Sequence, residues 1–193
     1  MASAPSLRLF LAIDLPPALR ANIDQWRQRR HLPGRAELAP NMHITLVFLG
    51  QVAVDRIDSI CDVAASTPFT AFDLTLDRIR LWRNGILHLA PSRAPAPLME
   101  LQQALNDGLG ALGLWTERRR YSPHLTIARD VPEGRHGLPR CPKFQWHVDK
   151  LTLFSSERTD EGVLFYQPLA EWPVQAAPPQ NTTPPSIPPS IDS

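Results

Sequence analysis

The stretch NMHITLVFLG, residues 41–50, decides the fold. It is short, mostly apolar and closed by glycine, which reads as a β-strand. Side chains alternate along a strand, so His43 and Thr45 share one face while Ile44, Leu46 and Phe48 share the other. The apolar face belongs in a core. The polar face must meet water, a partner or a cleft. A second stretch, SPHLTIARDV, repeats the arrangement with His124 and Thr126, 81 positions after the first histidine.

Reading outward, the chain falls into two similar halves. The first starts with a strand near Leu7 to Ile13, closed by Asp14 and the Pro16-Pro17 pair. Leu19, Ile23 and Trp26 then keep helical spacing within about 17–30. After a loop with Pro33, Gly34 and Pro40 comes the first motif strand, which Gly50 is expected to end. A helix near 54–65 and a strand near 69–76, extending toward Trp82, follow. The second half restarts with a strand over 85–90 and a helix over 97–112, whose Leu98, Leu101, Leu105 and Leu109 share one side. SPHLTIAR is the next strand, and strands near 144–154 and 163–169 complete the sheet. Leu7 precedes His43 by 36 positions and Leu87 precedes His124 by 37. Two lobes facing each other, each with a right-handed crossover, are the expectation.

Composition narrows the function. The 193 residues suit one domain or two small packed lobes, and 43% are hydrophobic, as in soluble globular proteins. A formal charge of +1 argues against broad electrostatic binding of nucleic acid, though not against a local phosphate pocket. The basic clusters Arg27, Arg29, Arg30, Arg35 and Arg118 to Arg120 read as solvated faces. Cys61 and Cys141 offer neither a disulfide framework nor metal-ligand spacing. The opening apolar run is too brief to span a bilayer and lacks a signal-peptide pattern, so a cytoplasmic protein with no membrane partner is expected. One domain is expected over 1–177. The proline-rich tail 178–193 reads as disordered, or alternatively as a ligand for a partner domain.

Either histidine alone would be an ordinary structural residue. A matched hydroxyl two places on, in both halves, is something a core has no use for. RLFLAIDLP, NMHITLVFLG, SPHLTIAR, LTLFSSE and a late G-x-x-x-Y (Gly162 to Tyr166) together resemble the 2H phosphoesterases over about residues 7–172. Within that superfamily they are most similar to the bacterial RNA 2',3'-cyclic phosphodiesterases, also called 2'-5' RNA ligases. The resemblance implies an α+β, bilobal fold with mostly antiparallel sheets, outer helices and a cleft between the lobes. It implies metal-independent hydrolysis of RNA 2',3'-cyclic phosphate ends to 2'-phosphates, without cofactor. His43 is then the proton donor and His124 the proton acceptor, with Thr45, Thr126 and Arg129 as phosphate ligands. His88 departs from the pattern, standing where a large apolar or aromatic residue is common.

The chemistry fits these residue types. One imidazole can take a proton from water while the other gives one to the departing ribose oxygen, since an unperturbed ring titrates near pH 6.5. Hydroxyls and a forked guanidinium suit the non-bridging oxygens. Strict alternation nevertheless sets Arg129 on the face opposite His124; either the strand bulges or ends before it, or Arg129 is a structural or surface residue. His31, His136 and His147 lack a partner threonine and read as structural or surface residues. The five tryptophans, Phe10 and Phe48 read mainly as core, leaving open which aromatic meets a base. A monomer is expected. Alternatives are a phosphodiesterase for 2'-5' linkages or small cyclic nucleotides, a non-catalytic RNA-end binding module, and a zinc enzyme. For the last, neither motif has a third ligand in the usual spacing.

Overall fold

The computed structural model describes residues 5–114, 117, 119–133 and 137–174. Trp115, Arg118, His136 and the proline-rich tail lie outside them. The fold is α+β, and every strand pairing is antiparallel. The first half runs β1 (Ser6–Asp14), α1 (Pro17–Arg29), β2 (Arg35–Ala36), β3 (His43–Ala53), α2 (Ile57–Ser66) and β4 (Phe72–Leu76). The second runs β5 (Arg78–Leu81), β6 (Leu87–Ala90), α3 (Ala96–Ala111), β7 (Leu125–Arg129), β8 (Phe144–Val148), β9 (Lys150–Arg158) and β10 (Leu164–Pro173).

The main sheet has the order β10-β9-β1-β3-β7-β6-β5, with β2 beside β7, while β4 and β8 form a separate pair. Because β1 and β3 are antiparallel neighbours, as are β6 and β7, the crossover rule for parallel strands has no object here. The strand expected over 144–154 is broken at exposed Asp149, where the chain leaves the β4 pair and joins β1. The periodicities otherwise hold. Leu98, Leu101, Leu105 and Leu109 of α3 are buried in the main core with Leu9, Leu11 and Ile13 of β1. Phe10 and Ala12, on the other face of β1, form a second cluster with Phe154, against which Phe48 and Tyr166 pack.

Strand β3 does not end at Gly50. Opposite β1 its register slips twice, leaving Leu46 and Leu49 as extra residues. These are β-bulges, and Gly50, at φ +69°, takes the left-handed backbone beside the second. Each bulge resets the alternation. The residues of β3 aligned with Asp14, Ala12, Phe10 and Arg8 are therefore His43, Thr45, Phe48 and Gln51. Phe48 lies on the histidine face, not with Ile44 as strict alternation requires.

Candidate active site

A single backbone pair, Ile44 with Leu125, joins the two halves of the main sheet through β3 and β7. Each member directly follows a motif histidine. Extending this antiparallel register by one residue sets His43 across from Thr126 and Thr45 across from His124. All four line one cleft of about 790 Å³, together with Phe48 and Arg129. Tyr121, just before the second motif, ties the strands further, its hydroxyl donating to the Thr45 carbonyl at 2.9 Å.

The rings are held alike. His43 Nδ1 lies 2.7 Å from the Asn41 carbonyl oxygen and His124 Nδ1 2.9 Å from that of Ser122. A carbonyl only accepts, so each Nδ1 carries the hydrogen and each neutral ring keeps Nε2 as its free acceptor. For His43 the Thr45 hydroxyl, 2.9 Å away, donates to that nitrogen. Asn41 is itself fixed, its amide donating to the Leu164 carbonyl at 2.8 Å.

Burial sets the protonation. It drives His43 down to about 4, against the raising effects of the Asn41 carbonyl and the Glu37 and Asp14 carboxylates. The Phe10 ring sits 4.7 Å from the His43 ring, and the Tyr166 ring meets it edge-on at 5.0 Å. His124 is also lowered, by burial first and then by the Arg129 charge, with the Ser122 carbonyl opposing. Trp82 packs 4.5 Å from its ring and His88 5.5 Å from it. His88, fully buried at 1% exposure, lies across from Thr126 and is lowered to about 4 by burial. It packs as a neutral aromatic wall, which accounts for a histidine where apolar residues are common.

Arg129 reaches the cleft because β7 bulges. Leu87 pairs with Ala128 and His88 with Thr126, leaving Ile127 extra, so Ile127 and Ala128 both face inward and Arg129 rejoins Thr126. The same offset follows both histidines: the fifth residue on is Phe48 in one strand and Arg129 in the other. Buried Glu37 accepts from Arg129 Nε at 2.7 Å, which holds the guanidinium where it lines the cleft. The Ile127 carbonyl accepts from the Glu37 backbone N–H at 3.0 Å, continuing the β2–β7 register, and from Arg27 Nη1 at 2.8 Å. Arg27 is thus a buried brace and not part of a solvated face. Arg29, Arg30 and Arg35 are exposed, as expected.

No sequence pattern singled out Glu37, and Arg27 read only as one member of a basic cluster. Each acts through residues distant in the chain, and the only local hint was a charged side chain within otherwise ordinary text. His147 is exposed and pairs with Asp73 at 3.0 Å, away from the cleft. His31 ends α1 in a left-handed conformation, φ +46°, with its N–H on the Gln28 carbonyl. Among the described residues, no group of three His, Cys, Asp or Glu side chains is arranged to hold a metal ion. Nor is any helix among them long and apolar enough to cross a membrane.

Comparison with known proteins places this geometry. The model of the 2'-5' RNA ligase superfamily matches residues 15–160. A protein of Escherichia coli (strain K12) named RNA 2',3'-cyclic phosphodiesterase is 34% identical over 170 residues, which cover 86% of this chain and 95% of that one. A protein of the same name from Methanocaldococcus jannaschii is 27% identical, covering 86% and 100%. Among solved structures, E. coli LigT complexed with 3'-AMP superposes with a TM-score of 0.83 at 32% identity, over 89% of this chain and all of that one. With its paired motifs, its cleft and these relatives, the chain belongs to the 2'-5' RNA ligase superfamily.

Proposed function

We propose that the protein hydrolyses RNA ends bearing a 2',3'-cyclic phosphate to 2'-phosphates, using two histidines and no metal. Its relatives carry the name of that activity. The observation that carries the reading is the matched pair of imidazoles in one cleft, each with Nδ1 fixed on the carbonyl two residues back. His124 Nε2 accepts a proton from water as its oxygen attacks phosphorus. The bond from phosphorus to O3' breaks, and protonated His43 gives its Nε2 hydrogen to O3', leaving a 2'-phosphate. Thr45, Thr126 and Arg129 bind the non-bridging oxygens, where charge accumulates. Phe48 offers a ring on which an unpaired terminal base stacks.

His43 must hold a proton to serve as donor, and burial disfavours this in the free protein. An anionic phosphate against the ring favours its charged form and restores the proton on binding. Attack of a 5'-hydroxyl in place of water, with the same bond to O3' breaking, yields a 2'-5' linkage through the same groups.

The test is incubation of purified protein with an RNA ending in 2',3'-cyclic phosphate, in EDTA, with the phosphomonoester identified. A 2'-phosphate is expected. A 3'-phosphate would reverse the roles of the ribose oxygens, turnover lost in EDTA would implicate a metal, and binding without product would leave an RNA-end binding module.

A further inference from the structure

The cleft continues well past the histidines. On β1 Phe10, Arg8 and Ser6 line it, and the two bulges keep Phe48 and Gln51 of β3 in step with Phe10 and Arg8. Six residues separate the Asp14–His43 row from the Arg8–Gln51 row, a distance of about 20 Å along a strand. That far exceeds the roughly 3.4 Å each further stacked nucleotide adds along a helical strand. The cavity therefore has a floor for several nucleotides, of which the terminal one takes only the histidine end and Phe48.

The chemistry of the far end differs from that of the histidine end. Arg8, Gln51 and Arg158 are exposed there, with Ser6 and Ser156 beside them. Arg8 extends over the Phe48 ring, 4.8 Å from its centroid, and Arg158 Nη1 donates to the Gly162 carbonyl at 2.7 Å. Neither arginine has a carboxylate partner among the described residues, whereas Arg129 is matched by Glu37. Among the residues lining this end the one acid, Glu157, accepts from the Ser155 hydroxyl at 2.6 Å. Two unmatched guanidinium groups flanked by amide and hydroxyl donors form a sequence-independent site for phosphodiester oxygens.

We propose that Arg8 and Arg158, with Gln51 and Ser156, bind the backbone phosphates of nucleotides 5' to the cyclic terminus, so that the enzyme selects oligonucleotide ends over mononucleotides. This rests on the reading that the terminus occupies the histidine pair. Arg129 then serves the reacting phosphorus, and the far arginines serve phosphates that do not react. Length of the RNA enters through KM and leaves the chemical step alone.

The test compares 2',3'-cyclic AMP with di- and trinucleotides carrying the same cyclic end, in the wild type and in Arg158→Ala and Arg8→Ala/Arg158→Ala. In the wild type kcat/KM is expected to rise about tenfold from mononucleotide to trinucleotide, mainly through KM, as for a charge-assisted contact. The trinucleotide should also show a salt dependence steeper by about 0.7 in the log–log slope per phosphate bound. Arg158→Ala, which leaves the Phe48 ring covered, should lose part of the length advantage and the double variant nearly all. Equal kcat/KM for the mononucleotide and trinucleotide, or a length advantage surviving in the double variant, overturns the proposal. Failure to hydrolyse any cyclic-ended substrate defeats the phosphodiesterase reading itself, and this proposal with it.

Discussion

Arg27 Nη1 donates to the carbonyl oxygen of Ile127, a hundred residues away in the chain, at 2.8 Å. Asp24 holds the other side of the guanidinium, at 2.7 Å from Nε and 2.6 Å from Nη2. Ile127 is the extra residue of the β7 bulge, and that bulge is what turns Arg129 toward the cleft. A residue buried behind the sheet thereby positions a cation at the site.

Replacing Arg27 with methionine keeps much of the buried volume but removes one donor from that carbonyl. Stability is expected to fall by about 1–3 kcal/mol, measured by urea unfolding. The kcat/KM for a cyclic-ended RNA should fall with it, because Arg129 loses its fixed direction. An Arg27→Met protein with wild-type kcat/KM would show that the bulge stands without its brace.

Alanine at His43 or His124 should lower turnover by at least roughly 10²-fold each, the scale of a lost proton transfer. The circular dichroism spectrum should not change, since both rings face the cleft and neither anchors the main core. Full activity in either variant would remove the assignment.

The pH profile has a definite sign. With His43 as donor and His124 as acceptor, as proposed, the competent free protein would have His43 protonated and His124 neutral, and burial lowers both below the usual 6.5. The kcat/KM profile should be bell-shaped with its maximum on the acid side of 6.5. Bound phosphate raises both rings, so the kcat maximum should lie at higher pH than that for kcat/KM. Coincident maxima, or a plateau extending above neutrality in kcat/KM, would contradict this.

His88→Phe separates packing from titration. Phenylalanine preserves an aromatic wall against Trp82, whose ring lies 4.3 Å from that of His88. A histidine depressed to about 4 when folded contributes stability that is complete above 6.5 and is lost as pH falls from 6.5 toward 4. The variant should keep wild-type turnover at neutral pH and lose less stability across that window, as read by melting temperature against pH.

Gly34 has φ +84°, and a Cβ there would stand 2.3 Å from the Arg129 carbonyl oxygen and 2.6 Å from Val131. Gly34→Ala should cost about 1–3 kcal/mol from backbone strain. It should also depress kcat/KM by displacing the end of β7, whereas Gly113→Ala, whose Cβ would meet nothing within 4 Å, should not. Comparing the two by unfolding and by kinetics isolates the contact from the glycine.

The motif strands were legible in the sequence because a paired histidine and threonine on an apolar strand answers no demand of a core. Helix α3 was legible through its leucine spacing. Alternation failed at Phe48 and Arg129 for one physical reason: a bulge inserts a residue, and every position beyond it changes face. Nothing local marks such an insertion, although Gly50 hinted at irregular backbone and was read as a strand end. Glu37 and Arg27 were invisible because their roles depend on Arg129 and Ile127, each at least 92 positions distant. The break at Asp149 escaped notice because one run of apolar residues serves two sheets.

The Ile44–Leu125 pair is one of several ties across the seam between β3 and β7. Strand β2 adds two backbone pairs to β7, Glu37 adds its ion pair with Arg129, and the Tyr121 hydroxyl reaches the Thr45 carbonyl. Both motif histidines stand one residue from the Ile44–Leu125 pair, so backbone, carboxylate and hydroxyl cross-brace the two imidazole rows at once. The distance between the rings is thereby set by bonds from both sides of the seam and not by the two short strand ends alone.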